Sequence, residues 1–426
     1  MTTKLFFALF VLTFFVACGP TDSIEAPAAD TAESESELVE RARGIHDRVL
    51  TLDTHVDIPF NYATEEVDPG IRGDFKVDLP KMEEGGLNAA FFVVYVGQTA
   101  RTPENYEKAK QDAMTKFNAI HRMADDMYPD RIEFAYSADD VVRIHESGKL
   151  VATIGIENGY VIGKDLSLLE KYHELGARYI TLAHGGHNDI ADSSSPRESF
   201  GDAESEHDGV SAFGEEVIAE MNRLGIMVDV SHISKAAMLD AVRLSKAPVI
   251  ASHSSARALA EHTRNMDDEQ LRALGESGGV MQTVALGSFV KNPPEKKTAM
   301  DALLAEYGIA SMGGLSELSD EKRAELMAKR DELDEQWPPA TVQDFVDHID
   351  HAVEIMGVDH VGISSDFDGG GGIEGWNDAS ETFNVTLELV RRGYTEEQIA
   401  QVWSGNLLRV WREVERVAQE TQSLTD

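Results

Sequence analysis

The sequence predicts an α/β fold, a (β/α)8 barrel of the TIM type, on three observations. Eight short β-rich runs recur along the chain, helical stretches separate them, and several runs close on a polar or ionisable residue. The runs are 49–55, 89–96, 151–157, 178–184, 226–232, 249–253, 279–286 and 360–366. Between them, segments such as 106–127, 214–224, 235–244 and 267–277 carry apolar residues at helical intervals among good helix formers. Strands alternating with helices imply a parallel sheet, and eight units in a chain of 426 residues point to a closed barrel. A doubly wound open sheet is the competing architecture. No glycine-rich dinucleotide fingerprint follows any strand, and the glycine run 369–372 lacks the required spacing.

The chain divides into three parts. Residues 1–17 carry a charged start and an apolar run too short to span a bilayer, which reads as an export signal. The run closes on Ala17-Cys18-Gly19 and resembles a bacterial lipoprotein signal, with cleavage before Cys18 and lipidation of that residue. Cys18 is the chain's one cysteine, so neither an intramolecular disulfide nor a thiolate metal cluster can form. Residues 18–37 read as an acidic disordered spacer: 19–37 hold six acidic residues and no basic ones. The barrel domain occupies 38–426, with a polar helical insertion at about 291–339 on the loop after the seventh strand. The net charge of −38 works against a nucleic-acid surface, since phosphate binding needs cationic side chains. The expected location is therefore outside the cytoplasm, in the cell envelope or periplasm, held to the membrane only by the lipid on Cys18.

In a barrel of this kind the carboxyl ends of the strands build the site. His55 and Asp57 stand two apart on the first strand, a spacing that puts both side chains on one face. Glu157 ends the third run, where a carboxylate beside apolar residues needs a partner or a cation. His232 and His253 close successive strands and deliver imidazoles to the same rim. Each residue alone has a bland explanation, a hydrogen-bonded turn, a salt bridge or a core histidine. Together they are three imidazoles and two carboxylates, the ligand types zinc accepts, and one shared carboxylate would let five ligands hold two ions. Asp366 and Asp368 after the last strand share a side-chain phase, and either suits proton transfer. His184 and His187 offer further imidazoles, and Arg264 offers either a forked carboxylate clamp or a surface ion pair. Serine or cysteine nucleophile chemistry has little support: Cys18 belongs to the signal, and the Gly275-Glu276-Ser277-Gly278-Gly279 run follows a helical stretch and precedes a β-run, the reverse of a nucleophile elbow.

The order His55-x-Asp57, Glu157, Thr181-Leu182-Ala183-His184, Val230-Ser231-His232, Ser252-His253-Ser254, Arg264-Asn265 and Ser365-Asp366-Phe367-Asp368-Gly369 resembles the membrane (renal) dipeptidases, from about Leu38 to about Val417. The resemblance implies a binuclear zinc peptidase that hydrolyses dipeptides, with two Zn2+ per chain on a metal-dependent-hydrolase barrel. By that resemblance His55 and Asp57 hold one zinc, His232 and His253 the other, and Glu157 bridges them; a hydroxide between the ions attacks the peptide carbonyl. Asp366 then moves the proton, His184 stabilises the oxyanion, and Arg264 holds the substrate's terminal carboxylate. Family members often form homodimers, and differ in whether they prefer a D-residue at the C-terminal side. The run Gly185-Gly186-His187-Asn188-Asp189 departs from the Asn-rich segment of relatives and opens a substrate role for His187. Two other readings compete: a related amidohydrolase acting on N-acyl amino acids or cyclic amides, and a non-catalytic surface lipoprotein that binds peptides.

Overall fold

The structure, a computed structural model, describes residues 33–309, 315 and 318–424. Its strands are β1 (Leu52–Asp57), β2 (Ala89–Tyr95), β3 (Ile132–Phe134), β4 (Leu150–Glu157), β5 (Ala177–Thr181), β6 (Met227–Asp229), β7 (Ile250–Ser254), β8 (Val280–Val284) and β9 (Val361–Ser364). All pair in parallel, in the order β1-β2-β4-β5-β6-β7-β8-β9. The ring closes between its first and last members at the carboxyl end. There Val56 bridges Phe367 just past β9, the Asp57 amide donates to the Phe367 carbonyl at 2.9 Å, and the Ser365 amide donates to Asp53 Oδ1 at 3.0 Å. The expected eight-stranded barrel is thus the observed one. β3 is an addition that pairs only with Leu150, Val151 and Ala152 of β4, and three residues are too few to leave a periodic signal.

Successive side chains on a strand face opposite ways, so the strands feed two apolar assemblies. Ala90, Phe92, Ile154, Ile156, Ile180, Val228, Met281 and Ile363 pack with the surrounding helices. Leu52, Ala89, Phe91, Val151, Tyr179, Met227, Ile250 and Val280 pack instead with Leu407, Leu408 and Trp411. Those last three belong to the helix Asn406–Ser423, which plugs the amino end of the barrel and leaves the carboxyl end open for chemistry.

Several boundaries move. The first helix, Glu35–His46, starts inside the expected spacer, because Ser34 and Glu37 form a capping box there. The expected helix 106–127 begins earlier, at Pro103, where Thr102 caps it, and ends at His121 before a π-helical turn over Arg122–Met127. The signal segment 1–17 and Cys18 lie outside the described residues. The insertion holds two helices, Pro294–Glu306 and Asp320–Gln336, which bury Leu304, Ile309 and Leu326 in a small core of their own.

Candidate active site

The predicted metal, catalytic and substrate residues lie at the carboxyl rim, but fewer of them lie on strands than the sequence suggests. His55, Asp57, Glu157 and His253 sit on β1, β4 and β7. His184, His232 and Asp366 stand two or more residues beyond the ends of β5, β6 and β9. His232 and Asp366 adopt left-handed backbone, with φ of +69° and +56°, as does Asp368 at +64°. Such conformations cost non-glycine residues about 1–3 kcal/mol and persist where neighbours impose them. The neighbours here are two buried aspartates that sequence reasoning passed over. Asp229 accepts from the amides of Ser231 and Ser252 at 3.0 and 2.8 Å, and Asp53 accepts from those of His55 and Ser365 at 3.1 and 3.0 Å.

Glu157 is the centre of the cluster. Its Oε1 lies 2.9 Å from His232 Nε2 and 3.4 Å from both His253 Nε2 and His184 Nε2, while its Oε2 lies 3.5 Å from His55 Nε2. His55 Nε2 also faces Asp57 Oδ2 at 3.5 Å and Asp366 Oδ1 at 4.0 Å. On the other side His232 Nε2 and His253 Nε2 are 2.7 Å apart. Burial disfavours a charge on Glu157, yet His184, His55, His232 and His253 outweigh it and hold the carboxyl well below its usual range. Burial likewise pushes His232 and His253 far below the ordinary imidazole value. His232 and His253 are thus neutral imidazoles beside an ionised carboxylate, the pattern a metal site requires, whereas His55, whose charge burial disfavours, is raised well above the ordinary imidazole value by Glu157 and Asp57, and a metal on Nε2 would displace that proton.

The residues fit a divalent metal. His55 Nε2 is buried without a hydrogen-bond partner, and three carboxylate oxygens surround it at 3.5–4.0 Å. Its other nitrogen, Nδ1, donates to the Tyr179 hydroxyl at 3.0 Å, which itself donates to the Thr54 carbonyl, so the ring is held with Nε2 pointing into the cluster. His253 is held the same way. Its Nδ1 donates to Ser252 Oγ at 2.8 Å, and that hydroxyl donates to Asp229 at 2.6 Å. Gly369 packs under the same oxygens: a Cβ there would meet Asp57 Oδ2 at 2.2 Å and Asp366 Oδ1 at 2.4 Å. Among the described residues, three ligand groups satisfy metal spacing, His55-Glu157-His253, Glu157-His184-His232 and His55-Asp57-Asp366. Removing the Tyr179 hydroxyl with Tyr179→Phe is expected to weaken metal binding about 10- to 100-fold, measured by competition with a chelator.

The cleft above the cluster has a volume of about 470 Å³. Arg264 lines it, is 7% exposed, and donates from Nη2 to the His253 carbonyl at 3.0 Å. Its Nε has no partner, and burial lowers its pKa only to about 10, so a charged, half-satisfied guanidinium faces the cleft. That disposes of the surface ion pair. His184 packs against Tyr95 with ring centroids 4.8 Å apart and planes tilted by 53°, and burial lowers its pKa, so it is a neutral ring beside Glu157. Asp368 does not converge on the cluster. Its carboxylate accepts from the amides of Lys76 and Val77 at 2.9 to 3.2 Å and pins the loop after β1. His187 is likewise engaged elsewhere. Its Nδ1 accepts from the Ser193 amide and its Nε2 donates to the Ala203 carbonyl, each at 3.0 Å. One further wall residue that sequence reasoning missed is Lys116, on the buried stripe of its helix with Ala113, Phe117 and Ile120.

The profile of the membrane dipeptidase family, peptidase family M19, matches residues 39–425. The chain belongs to that family. It is 33% identical over 353 residues to dipeptidase tcpJ of Claviceps purpurea, covering 82% of this chain and 71% of the relative. Among solved structures it resembles the probable dipeptidase PvdM from Pseudomonas aeruginosa, at 33% identity and a TM-score of 0.80, over 90% of this chain and all of that one. A metallopeptidase from Rhodobacter sphaeroides, solved with a phosphinate mimic of the dipeptide L-Ala-D-Ala, shares the fold at 24% identity and a TM-score of 0.63. That match covers 86% of this chain and 99% of the other. This member of the dipeptidase family is accordingly a metal-dependent hydrolase of peptide bonds.

Proposed function

We propose that the chain is a binuclear zinc dipeptidase. The observation that supports this most is Glu157, whose two carboxylate oxygens face separate nitrogen sets, His232 and His253 on one side and His55 on the other. Imidazole and carboxylate donors suit zinc. His55 and Asp57 hold one ion, His232 and His253 the second, and Glu157 serves both. When bound, the ions supply Lewis acidity and a water acidic enough to attack near neutral pH.

The protein's own groups do the rest. Arg264 takes the terminal carboxylate of the substrate with the donors it leaves unpaired, which fixes the scissile carbonyl over the cluster. His184 donates to the carbonyl oxygen as negative charge develops on it. Asp366 accepts the water's proton and returns it to the departing amine. A free carboxylate requirement and a cleft of this size restrict the substrate to dipeptides. The export and lipid attachment expected from residues 1–18 support a location in the cell envelope. Among the described residues, no helix is long and apolar enough to cross a membrane.

The test is a panel of L,L-, L,D- and N-acetylated dipeptides, incubated with zinc-loaded and chelator-stripped protein, with amino-acid release followed by mass spectrometry. Zinc-restored cleavage confined to free dipeptides, with two zinc ions per chain by elemental analysis, is the expected result. Equal cleavage of acetylated substrates would sink the dipeptide assignment in favour of a broader amidohydrolase.

A further inference from the structure

Lys116 is a lysine out of place. It lies on the helix Pro103–His121, which follows β2, yet it is 4% exposed and lines the active-site cleft. Its Nζ stands 5.2 Å from the ring centroid of Phe60 and 5.5 Å from that of Tyr95. Those two aromatic faces hold an ammonium without neutralising it. Among the described residues, no carboxylate comes within salt-bridge distance of Lys116. Asp112, one turn away, is taken by Lys108 at 2.7 Å. The other carboxylates that act on the Lys116 charge, Asp57 and Glu157, are already committed to the metal cluster. Burying an ammonium without a dedicated counterion is costly, and the cost is recovered when an anion arrives.

The position of Lys116 says which anion. Tyr95 ends β2, and Arg264 lies on the loop after β7. β2 is the second strand of the ring and β7 the sixth, so the two cations flank opposite sides of an eight-stranded barrel with the Glu157 cluster between them. A dipeptide whose terminal carboxylate meets Arg264 and whose carbonyl lies over the cluster extends its amino-terminal residue toward Lys116. Resting on the dipeptidase reading, we infer that Lys116 selects dipeptides with an acidic amino-terminal residue, its Nζ donating to the side-chain carboxylate of aspartate or glutamate.

The experiment compares kcat/KM for Glu-Ala and Gln-Ala, isosteric apart from the charge, in the zinc-loaded native enzyme, Lys116→Met and Lys116→Arg. The native enzyme is expected to favour Glu-Ala by about 10- to 100-fold, the ratio a hydrogen bond to a charged group supplies, and to do so through KM. Lys116→Met is expected to bring the ratio to about one, and Lys116→Arg to keep most of it. Equal ratios in native and Lys116→Met enzymes overturn the inference, as does a parallel loss for both substrates, which would mark a general electrostatic or structural role. Native enzyme that cleaves Ala-Ala and Gln-Ala without favouring Glu-Ala overturns the Lys116 assignment and leaves the dipeptidase reading standing. Native enzyme that cleaves no dipeptide overturns the dipeptidase reading instead. Calorimetric titration with Glu-Ala then decides Lys116: tighter binding by native protein than by Lys116→Met supports it, and equal binding overturns it.

Discussion

Glu157→Gln is expected to remove zinc binding and turnover together. An amide matches the carboxylate in shape, but it carries no charge, and its NH2 offers donors to nitrogens that are themselves lone-pair donors to a metal. The Glu157 oxygens lie within 2.9 to 3.5 Å of four imidazole nitrogens, with His232 and His253 facing Oε1 and His55 facing Oε2. The loss in kcat/KM should exceed the about 10- to 100-fold that removal of an outer partner such as Tyr179 costs. Elemental analysis is expected to find fewer than one zinc per chain, against the two proposed for the native protein. A thermal readout separates this from misfolding. Zinc at a thousandfold excess over its Kd stabilises a protein that binds it only when folded by about 4 kcal/mol. The native protein should therefore melt higher with zinc than without, whereas Glu157→Gln should melt at one temperature in both conditions. A variant that keeps two zinc ions and the zinc-dependent shift would refute the bridging role.

The barrel was readable because its strands are buried on both faces, and a run such as Ala89-Ala-Phe-Phe-Val-Val-Tyr95 can hardly be anything else. The ligands were readable because a histidine or carboxylate that interrupts such a run is conspicuous. What the sequence hid was the support behind them. Asp229 and Asp53 are also carboxylates in apolar runs, three residues before His232 and two before His55. They looked like background because their partners, the amides of Ser252 on β7 and of Ser365 just past β9, are distant in sequence. Tyr179 was hidden for the same reason. Nothing local distinguishes a tyrosine packed in the core from one whose hydroxyl orients an imidazole 124 residues away in sequence. Lys116 was the least legible: it shares the buried stripe of its helix with Ala109, Ala113, Phe117 and Ile120, and only the tertiary fold shows that its place on that stripe opens into the cleft. Strand ends were overrun for a related reason. The polar residues just past β5, β6 and β9 continue the apolar pattern in sequence but lie on loops whose left-handed turns no propensity announces.

Asp366→Asn is expected to lower kcat by about 10²- to 10⁴-fold, the range that a positioned proton acceptor contributes, while zinc content and KM change little. The assignment rests on placement. Asp366 Oδ1 is 4.0 Å from His55 Nε2 and opens onto the cleft, whereas Asp368 is tied to the Lys76 and Val77 amides. Burial raises the proton affinity of Asp366 well above the ordinary carboxylate, and the charges of Asp57 and Glu157 add to that against the opposing pull of His55 and Arg264. A carboxylate so raised is a better base near neutrality than an exposed aspartate. It accepts a proton only while ionised, so the rate must fall as pH drops through its pKa and level off above it. The native kcat profile should therefore carry an acid limb, and Asp366→Asn should lose that limb along with most of the rate. Asp368→Asn, by contrast, should keep the limb and show its effect in thermal stability, because the bonds it weakens hold a loop rather than a proton. If the limb survived in Asp366→Asn and vanished in Asp368→Asn, the two roles would be reversed, and the loop after β1 would have to move in order to free Asp368 for the chemistry.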